Sequence, residues 1–301
     1  MMRRIMLLSA VFLMAAATTA FGSETGTWGM SEDGKNWMYF YSPDNPAKDE
    51  WIEEDGKVYY VDSKGRMKTG WVTDKEDGNK YYMGADGAKC FNMITPDDHY
   101  VGPEGTVLKS FDTYRKTVSK ELGKFWKDKS YKALDRSQLP GFQLVDLNGD
   151  GYRDVLVMNR VENPDRVVMA AIWDPATGKL VLSAEADLNG EETSTLMFHP
   201  DTQSVWLSMS HPDGGMDFFQ LRDGGVQFEQ IWSFQTEADD WGDTVCYVNR
   251  VKVEQEEWEE TLRFAKEEMG AIMTPDLLLL DEENVTQAVN QMPEEELLQW
   301  Q

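Results

Sequence analysis

The stretch WIEEDGKVYYVDSKGRMKTGWVTDKEDGNKYYMGADGA, from Trp51 to Ala88, holds one pattern twice. In each copy a Trp is followed by polar residues, an Asp-Gly turn signal, a Tyr-Tyr pair and a second Gly. Trp51 and Trp71 open the copies, Asp55-Gly56 and Asp77-Gly78 mark the turns, and Tyr59-Tyr60 and Tyr81-Tyr82 fill the returning strands. Gly65 and Gly87 close them. A period of about 20 residues with an internal turn reads as stacked β-hairpins rather than one globular core. A lone hairpin cannot bury its aromatic face, so such copies gain stability only by stacking.

Working outward, GTWGMSEDGKNWMYFY (Gly26 to Tyr41) is a degenerate earlier copy and DDHYVGPEGTV (Asp97 to Val107) a worn later one. The Tyr-Tyr cores and the link Gly65-Arg66-Met67-Lys68-Thr69-Gly70-Trp71 resemble the cell-wall-binding, choline-binding-like repeats of Gram-positive surface proteins, over 26–107. That resemblance implies a place at the cell envelope. In choline-binding members a cation sits in a cage of aromatics from neighbouring hairpins, held by cation–π attraction. Carried onto this chain, the ligand-binding candidates are Trp28, Trp37, Trp51, Tyr59, Trp71 and Tyr81. The chain departs from the pattern before its Tyr-Tyr pairs. Val58 and Lys80 stand where choline-binding members usually carry Trp, and the charge of Lys80 opposes a quaternary ammonium; Trp37 is the Trp kept there, in the first copy. Three roles stay open for the aromatics: packing within the array, contact with glycan or wall polymer, and a choline cage.

The chain of 301 residues opens with Met1-Met2-Arg3-Arg4, an apolar run from Ile5 to Ala17 and small residues up to Gly22. This is the layout of a secretory signal peptide over 1–22. No later stretch is long and apolar enough to span a bilayer, so the mature chain is expected to be secreted and cell-wall associated, with no transmembrane segment after signal cleavage. A net charge of −25 repels nucleic acid and anionic lipid. Cys90 and Cys246 are the two cysteines, and in an exported protein either a disulfide between them or two buried thiols fits.

Residues 23–109 form the hairpin repeats and 110–301 a second domain. Phe111, Tyr114, Val118, Leu122, Phe125 and Trp126 recur at helical spacing, with Ser110 as the expected N-cap and a basic opposite face from Arg115 to Lys132. Then comes GFQLVDLNGDGYRDVLVM. Asp146, Asn148, Asp150 and Asp154 lie at positions 1, 3, 5 and 9 of a loop with Gly151 at position 6, and the Tyr152 carbonyl at position 7. Alternating oxygen donors around a tight Gly turn suit calcium, a hard cation needing six to eight oxygens. Val157 at position 12 excludes an EF-hand. The unit is similar to the single calcium loops of FG-GAP/VCBS-type domains in secreted proteins of gut Firmicutes, and a structural calcium is expected. The alternative is a metal-free turn capped by its own Asp side chains.

Strands separated by turn residues follow from Val167 to Val253, reading as an antiparallel meander with Trp173, Trp206, Phe218, Phe219, Phe228 and Trp232 as core candidates. A helix is expected over Trp258–Met269, capped by Gly270, and another beginning at Thr274-Pro275. The expected fold is thus multidomain: a β-hairpin repeat solenoid, then an α+β domain with an antiparallel meander sheet and flanking helices. Only His99, His199 and His211 are present, and no nucleophile-elbow, zinc-protease, phosphate-loop or dinucleotide motif occurs. The His-Pro-Asp pair at 199–201 and 211–213 reads as turn chemistry. The sequence therefore points to a binding protein whose repeats contact cell-wall polymer or glycan while the second domain meets a further partner, such as a surface protein. A spacer role for the repeats and a glycan-active hydrolase are the alternatives.

Overall fold

The computed structural model describes residues 26–160, 166–185, 193–292, 294–297 and 300, so the expected signal peptide lies outside the described residues. The chain divides into two compact units, Met1–Cys90 and Phe91–Gln301, and β-strands dominate over helices.

In the first unit, β1 (Thr27–Met30) pairs with β2 (Trp37–Ser42), which also takes the short β3 (Asn45–Pro46). Two further hairpins follow, β4 (Glu50–Glu54) with β5 (Lys57–Val61) and β6 (Gly70–Thr73) with β7 (Lys80–Met83). Asp55 and Gly56 span the β4–β5 loop at φ 52° and 73°. Positive φ at both loop residues gives the turn whose twist matches the flanking strands, which is why Asp-Gly stands there.

The stitching between hairpins comes from the segment after each one. That segment bridges back to its own hairpin (Val61 with Met67, Met83 with Lys89) and to the preceding one (Met38 with Arg66, Tyr59 with Ala88). Met67 N–H donates to the Trp37 carbonyl and Lys89 N–H to the Val58 carbonyl, both at 2.7 Å. Met67 and Lys89 thus hold the same place in successive copies. Between the hairpins lie Tyr39, Ala47, Ile52 and Val61, then Tyr60, Val72 and Met83.

The second unit starts before 110. The hairpin of β8 (Met93–Ile94) and β9 (Tyr100–Val101) belongs to it, because Tyr100 and Leu108 are buried in one cluster with Phe111 of α1 (Lys109–Leu122). A short 3-10 turn (Phe125–Lys127) and α2 (Lys129–Lys132) lead to β10 (Gly141–Val145), β11 (Asp154–Met158), β12 (Val167–Asp174) and β13 (Lys179–Glu185). Next come β14 (Thr193–His199), β15 (Ser204–Ser210), β16 (Met216–Leu221), β17 (Phe228–Ala238), β18 (Thr244–Val248) and β19 (Val251–Val253). The chain ends in α3 (Gln255–Met269), β20 (Ala271–Ile272), β21 (Leu278–Leu279), α4 (Glu282–Asn290) and α5 (Glu294–Leu297).

The expected single meander is two antiparallel sheets, ordered β13-β12-β11-β10-β21 and β19-β18-β17-β16-β15-β14-β20. Strand alternation explains how they are covered. On β11, Val155 and Val157 join α1 and α4 residues, whereas Leu156 and Met158 join Leu196, Val205, Leu207 and Leu221 of the second sheet. On β15, Trp206 turns to the other side and packs with Ala265 and Met269 of α3. The order is helices, sheet, sheet, helix, with the interior strands β11, β12 and β15 the most fully buried.

Three boundaries differ from the sequence reading. Residues 245–253 break into β18 and β19 at Asn249-Arg250, where φ is 50° and 66°. No helix starts at Thr274; Leu278 and Leu279 extend β10 as an edge strand, and α4 begins after Asp281, whose carboxylate caps Asn284 N–H at 2.9 Å. The α1 N-cap is Leu108, with no side-chain cap. Arg115 leaves the solvated basic face as well: it is buried and pairs with Asp112 at 2.9 Å and Asp98 at 2.8 Å.

Candidate functional site

Cross-strand pairing in the hairpin unit sets a Trp opposite a Tyr: Trp28 with Tyr39, Trp51 with Tyr60, and Trp71 with Tyr82. The ring centroids of these pairs are 5.2, 5.0 and 5.0 Å apart, all edge to face. The next hairpin supplies a third ring. Tyr59 reaches Trp28 at 5.1 Å and Tyr81 reaches Trp51 at 5.1 Å. Two trios of one design result, Trp28–Tyr39–Tyr59 and Trp51–Tyr60–Tyr81. Each edge-to-face contact contributes on the order of 0.5–1.5 kcal/mol beyond its burial.

The trios use four of the six expected aromatics, Trp28, Trp51, Tyr59 and Tyr81, while Trp71 pairs with Tyr82. Trp37 is left out. It pairs with Met30, is 49% exposed, and stands at the register of Val58 and Lys80, on the strand face that also carries Tyr39. Lys80 is exposed at that same register, so its charge does not enter a cage. Sequence reasoning missed Tyr39 and Tyr60, which the Trp–Tyr spacing across each turn would have identified.

It also missed a cation. The ammonium of Lys89 lies 4.0 Å from the Tyr81 ring centroid and 5.5 Å from that of Trp51, inside the range of cation–π attraction. Acidic residues frame this second trio. Trp51 Nε1–H donates to Asp74 at 2.7 Å, and the Tyr81 hydroxyl donates to Asp77 at 2.5 Å. Burial, with Asp77 second, pushes the Tyr81 phenol up to about 12. The Tyr81 hydrogen bond is the main cause holding the Asp77 carboxyl low, and the Lys89 charge adds to it. Among the described residues no Lys or Arg lies over the rings of Trp28, Tyr39 or Tyr59.

In the second unit the loop from Asp146 to Asp154 is closed by its own hydrogen bonds. The Asp146 carboxylate accepts the N–H of Gly149 and of Gly151 at 2.8 and 2.9 Å. Asn148 turns its amide N–H toward Asp150 and the Gly225 carbonyl, and Asp150 accepts Tyr152 N–H. Asp154 is fully buried, with its two oxygens taken by Leu147 and Trp173 N–H, each at 2.8 Å. Burial raises its carboxyl to about 7, with the charges of Asp150 and Asp146 adding and the two backbone bonds opposing. Among the described residues no three His, Cys, Asp or Glu side chains are grouped closely enough to hold a metal ion. In this arrangement the carboxylates of Asp146, Asp150 and Asp154 accept N–H groups of the loop and of its neighbours.

Cys90 and Cys246, expected as a disulfide or two buried thiols, are both free. Cys246 is buried in β18, while Cys90 is partly exposed and directs its thiol to the Ala88 carbonyl at 3.8 Å. His199 and His211 stand at opposite ends of the β14–β15 hairpin, so they form no pair. His211 meets Asp217 at 3.1 Å, and His99 meets Asp112 at 3.0 Å beside Arg115. Among the described residues no helix is long and apolar enough to cross a membrane.

Residues 49–67 and 69–89 match the family of cell wall binding repeats of the choline-binding type. No curated protein matches the chain. Among solved structures, the choline-binding domain of CbpL from Streptococcus pneumoniae is 26% identical over 28% of this chain and 43% of its own, with a TM-score of 0.24. CbpJ of the same organism is 31% identical over 28% of this chain and 27% of its own, with a TM-score of 0.23. Choline binding protein F of Streptococcus pneumoniae, determined in the presence of a peptidoglycan analogue, is 28% identical over 28% and 26%, with a TM-score of 0.23. The chain spans less than half of each of these. The matched residues include the whole second trio, Trp51, Tyr60 and Tyr81, and Tyr59 of the first.

Proposed function

We propose that this is an extracellular, cell-wall-associated binding protein whose hairpin unit attaches to wall polymer through the trio Trp28, Tyr39 and Tyr59. The observation that carries the reading is the second trio of the same design, where a cation already lies against the aromatic faces. Ring faces set this way attract an ammonium group by about 0.5–2 kcal/mol per contact, and quaternary ammonium recognition is the best-known use of such cages. A wall polymer carrying cationic substituents therefore suits the first trio. A spacer would bury its aromatics wholly between hairpins. Here Trp28, Trp51 and Tyr59 keep part of their surface in solvent, which favours binding over spacing.

Retention of the full chain on purified Gram-positive cell walls, with and without excess choline, tests this. Retention released by choline is the expected result. Walls that fail to retain the chain would overturn the reading. Retention indifferent to choline would keep the wall contact and discard the cationic substituent.

A further inference from the structure

We infer that Lys89 is the built-in occupant of the second aromatic cage, so that the hairpin unit offers one of its two trios, Trp28–Tyr39–Tyr59, to a quaternary ammonium ligand. The inference rests on the reading of these trios as cation sites. The two trios agree in architecture: Trp–Tyr across the hairpin at 5.2 and 5.0 Å, and Trp to the next hairpin's Tyr at 5.1 Å in both. Their flanks differ, with Trp37 standing beside the first where Val58 stands beside the second, and the difference in charge falls at one register position. The residue whose N–H bonds back to the preceding hairpin is Met67 in one copy and Lys89 in the next. Met67 brings no charge. Lys89 brings an ammonium 4.0 Å from Tyr81 and 5.5 Å from Trp51.

Asp77 orients the ring this occupant lies against. Its carboxylate accepts the Tyr81 hydroxyl, which fixes the ring face against which the ammonium lies, and the Lys89 charge acts on it as a lesser influence. An external ammonium competing for the second trio must displace a group tethered to the same chain, whose effective concentration is high. The consequence is functional. Attachment through one trio per unit lacks the avidity that two would give, so the chain binds and leaves its polymer more readily than a unit with both trios open.

The test is titration of the full chain with choline by calorimetry, comparing wild type with Lys89→Met, which places the Met67 side chain at the second site. One additional equivalent of choline bound by Lys89→Met is expected. Equal stoichiometry in the two proteins would overturn the inference. Lys89→Gln, which keeps length and removes charge, serves as the second variant and is expected to gain the same equivalent. A measurement on the unaltered protein guards against misfolding: the Lys89 ε-methylene protons lie against the Tyr81 ring and should resonate upfield of ordinary lysine. Ordinary shifts would overturn the inference without any variant. Its failure is separable from that of the wall reading. Wild type that holds walls while Lys89→Met gains no choline site sinks the occupant alone; a gained site in a chain that holds no wall sinks the attachment alone.

Discussion

Tyr81 keeps its phenolic proton because it is buried and bonded to Asp77, and its ionisation is moved up to about 12. The folded chain therefore holds a proton between pH ~10 and ~12 that the unfolded chain has released. Linkage then makes Tyr81 a source of stability that is fully present below about pH 10 and lost as pH rises toward 12. Tyr60 and Tyr131 are raised as well, so the wild-type curve alone is a sum. Subtracting Tyr81→Phe isolates the group. Denaturant unfolding at pH ~8 and ~11 should show the gap between wild type and variant shrinking at the higher pH. At pH ~8 the missing hydrogen bond costs on the order of 1 kcal/mol. Parallel curves would mean that Tyr81 ionises normally. At this scale the sequence was informative about Tyr81, which stands in a repeated Tyr-Tyr core. It was silent about Lys89, because its place relative to the rings depends on the segment folding back. Only an alignment of Gly65-Arg66-Met67 with Gly87-Ala88-Lys89 would have placed it.

Two elements carry predictions of their own. Gly65 sits at φ 78°, and a Cβ there would come within 2.7 Å of Met38 Cε and 3.1 Å of the Ala47 carbonyl in the preceding hairpin. Gly34 has a similar φ of 66° but open space around it. Both alanine variants incur left-handed strain of about 1–3 kcal/mol, and Gly65→Ala adds the contact between hairpins. Gly65→Ala should therefore lower the thermal midpoint more than Gly34→Ala, by calorimetry; equal losses would mean that the hairpins separate easily there. The Asp146 loop gives the other prediction. If its order comes from carboxylate–amide bonds to Gly149 and Gly151, Asp146→Ala costs about 1–2 kcal/mol, equally in calcium and in chelator. A loss seen only in calcium would mean that the loop rearranges to take the ion. The spacing of Asp, Asn and Gly made this element legible as a tight strand–loop–strand turn. Whether its oxygens meet a cation or N–H groups depends on side-chain direction, which spacing does not encode. The helix expected at Thr274 failed for a related reason. Local capping chemistry there is outweighed by burial of Leu280 and by hydrogen bonds to the exposed edge of β10.

Over the whole molecule, a net charge of −25 sets how the chain approaches any polymer. On the proposed reading, a wall polymer bearing phosphates would be repelled at long range, while its cationic substituents would be attracted at short range by a half-buried aromatic trio. Salt acts unequally on these two forces. Raising ionic strength from about 0.01 to 0.15 M shortens the screening length from roughly 30 to 8 Å, which removes the repulsion and leaves partly buried cation–π contacts largely intact. Wall retention should therefore hold or increase over that range in a sedimentation assay. The opposite outcome has a specific meaning, because the described residues also include an exposed basic group: Lys116, Lys120, Lys124, Lys127, Lys129 and Lys132, on and just after α1. Binding through those lysines to polymer phosphates would fall steeply with salt, as counterion release requires. Loss of retention on adding salt would thus move the attachment from the hairpin trios to the helix of the second unit. Retention that survives salt but is released by choline leaves the trio of Trp28, Tyr39 and Tyr59 as the contact.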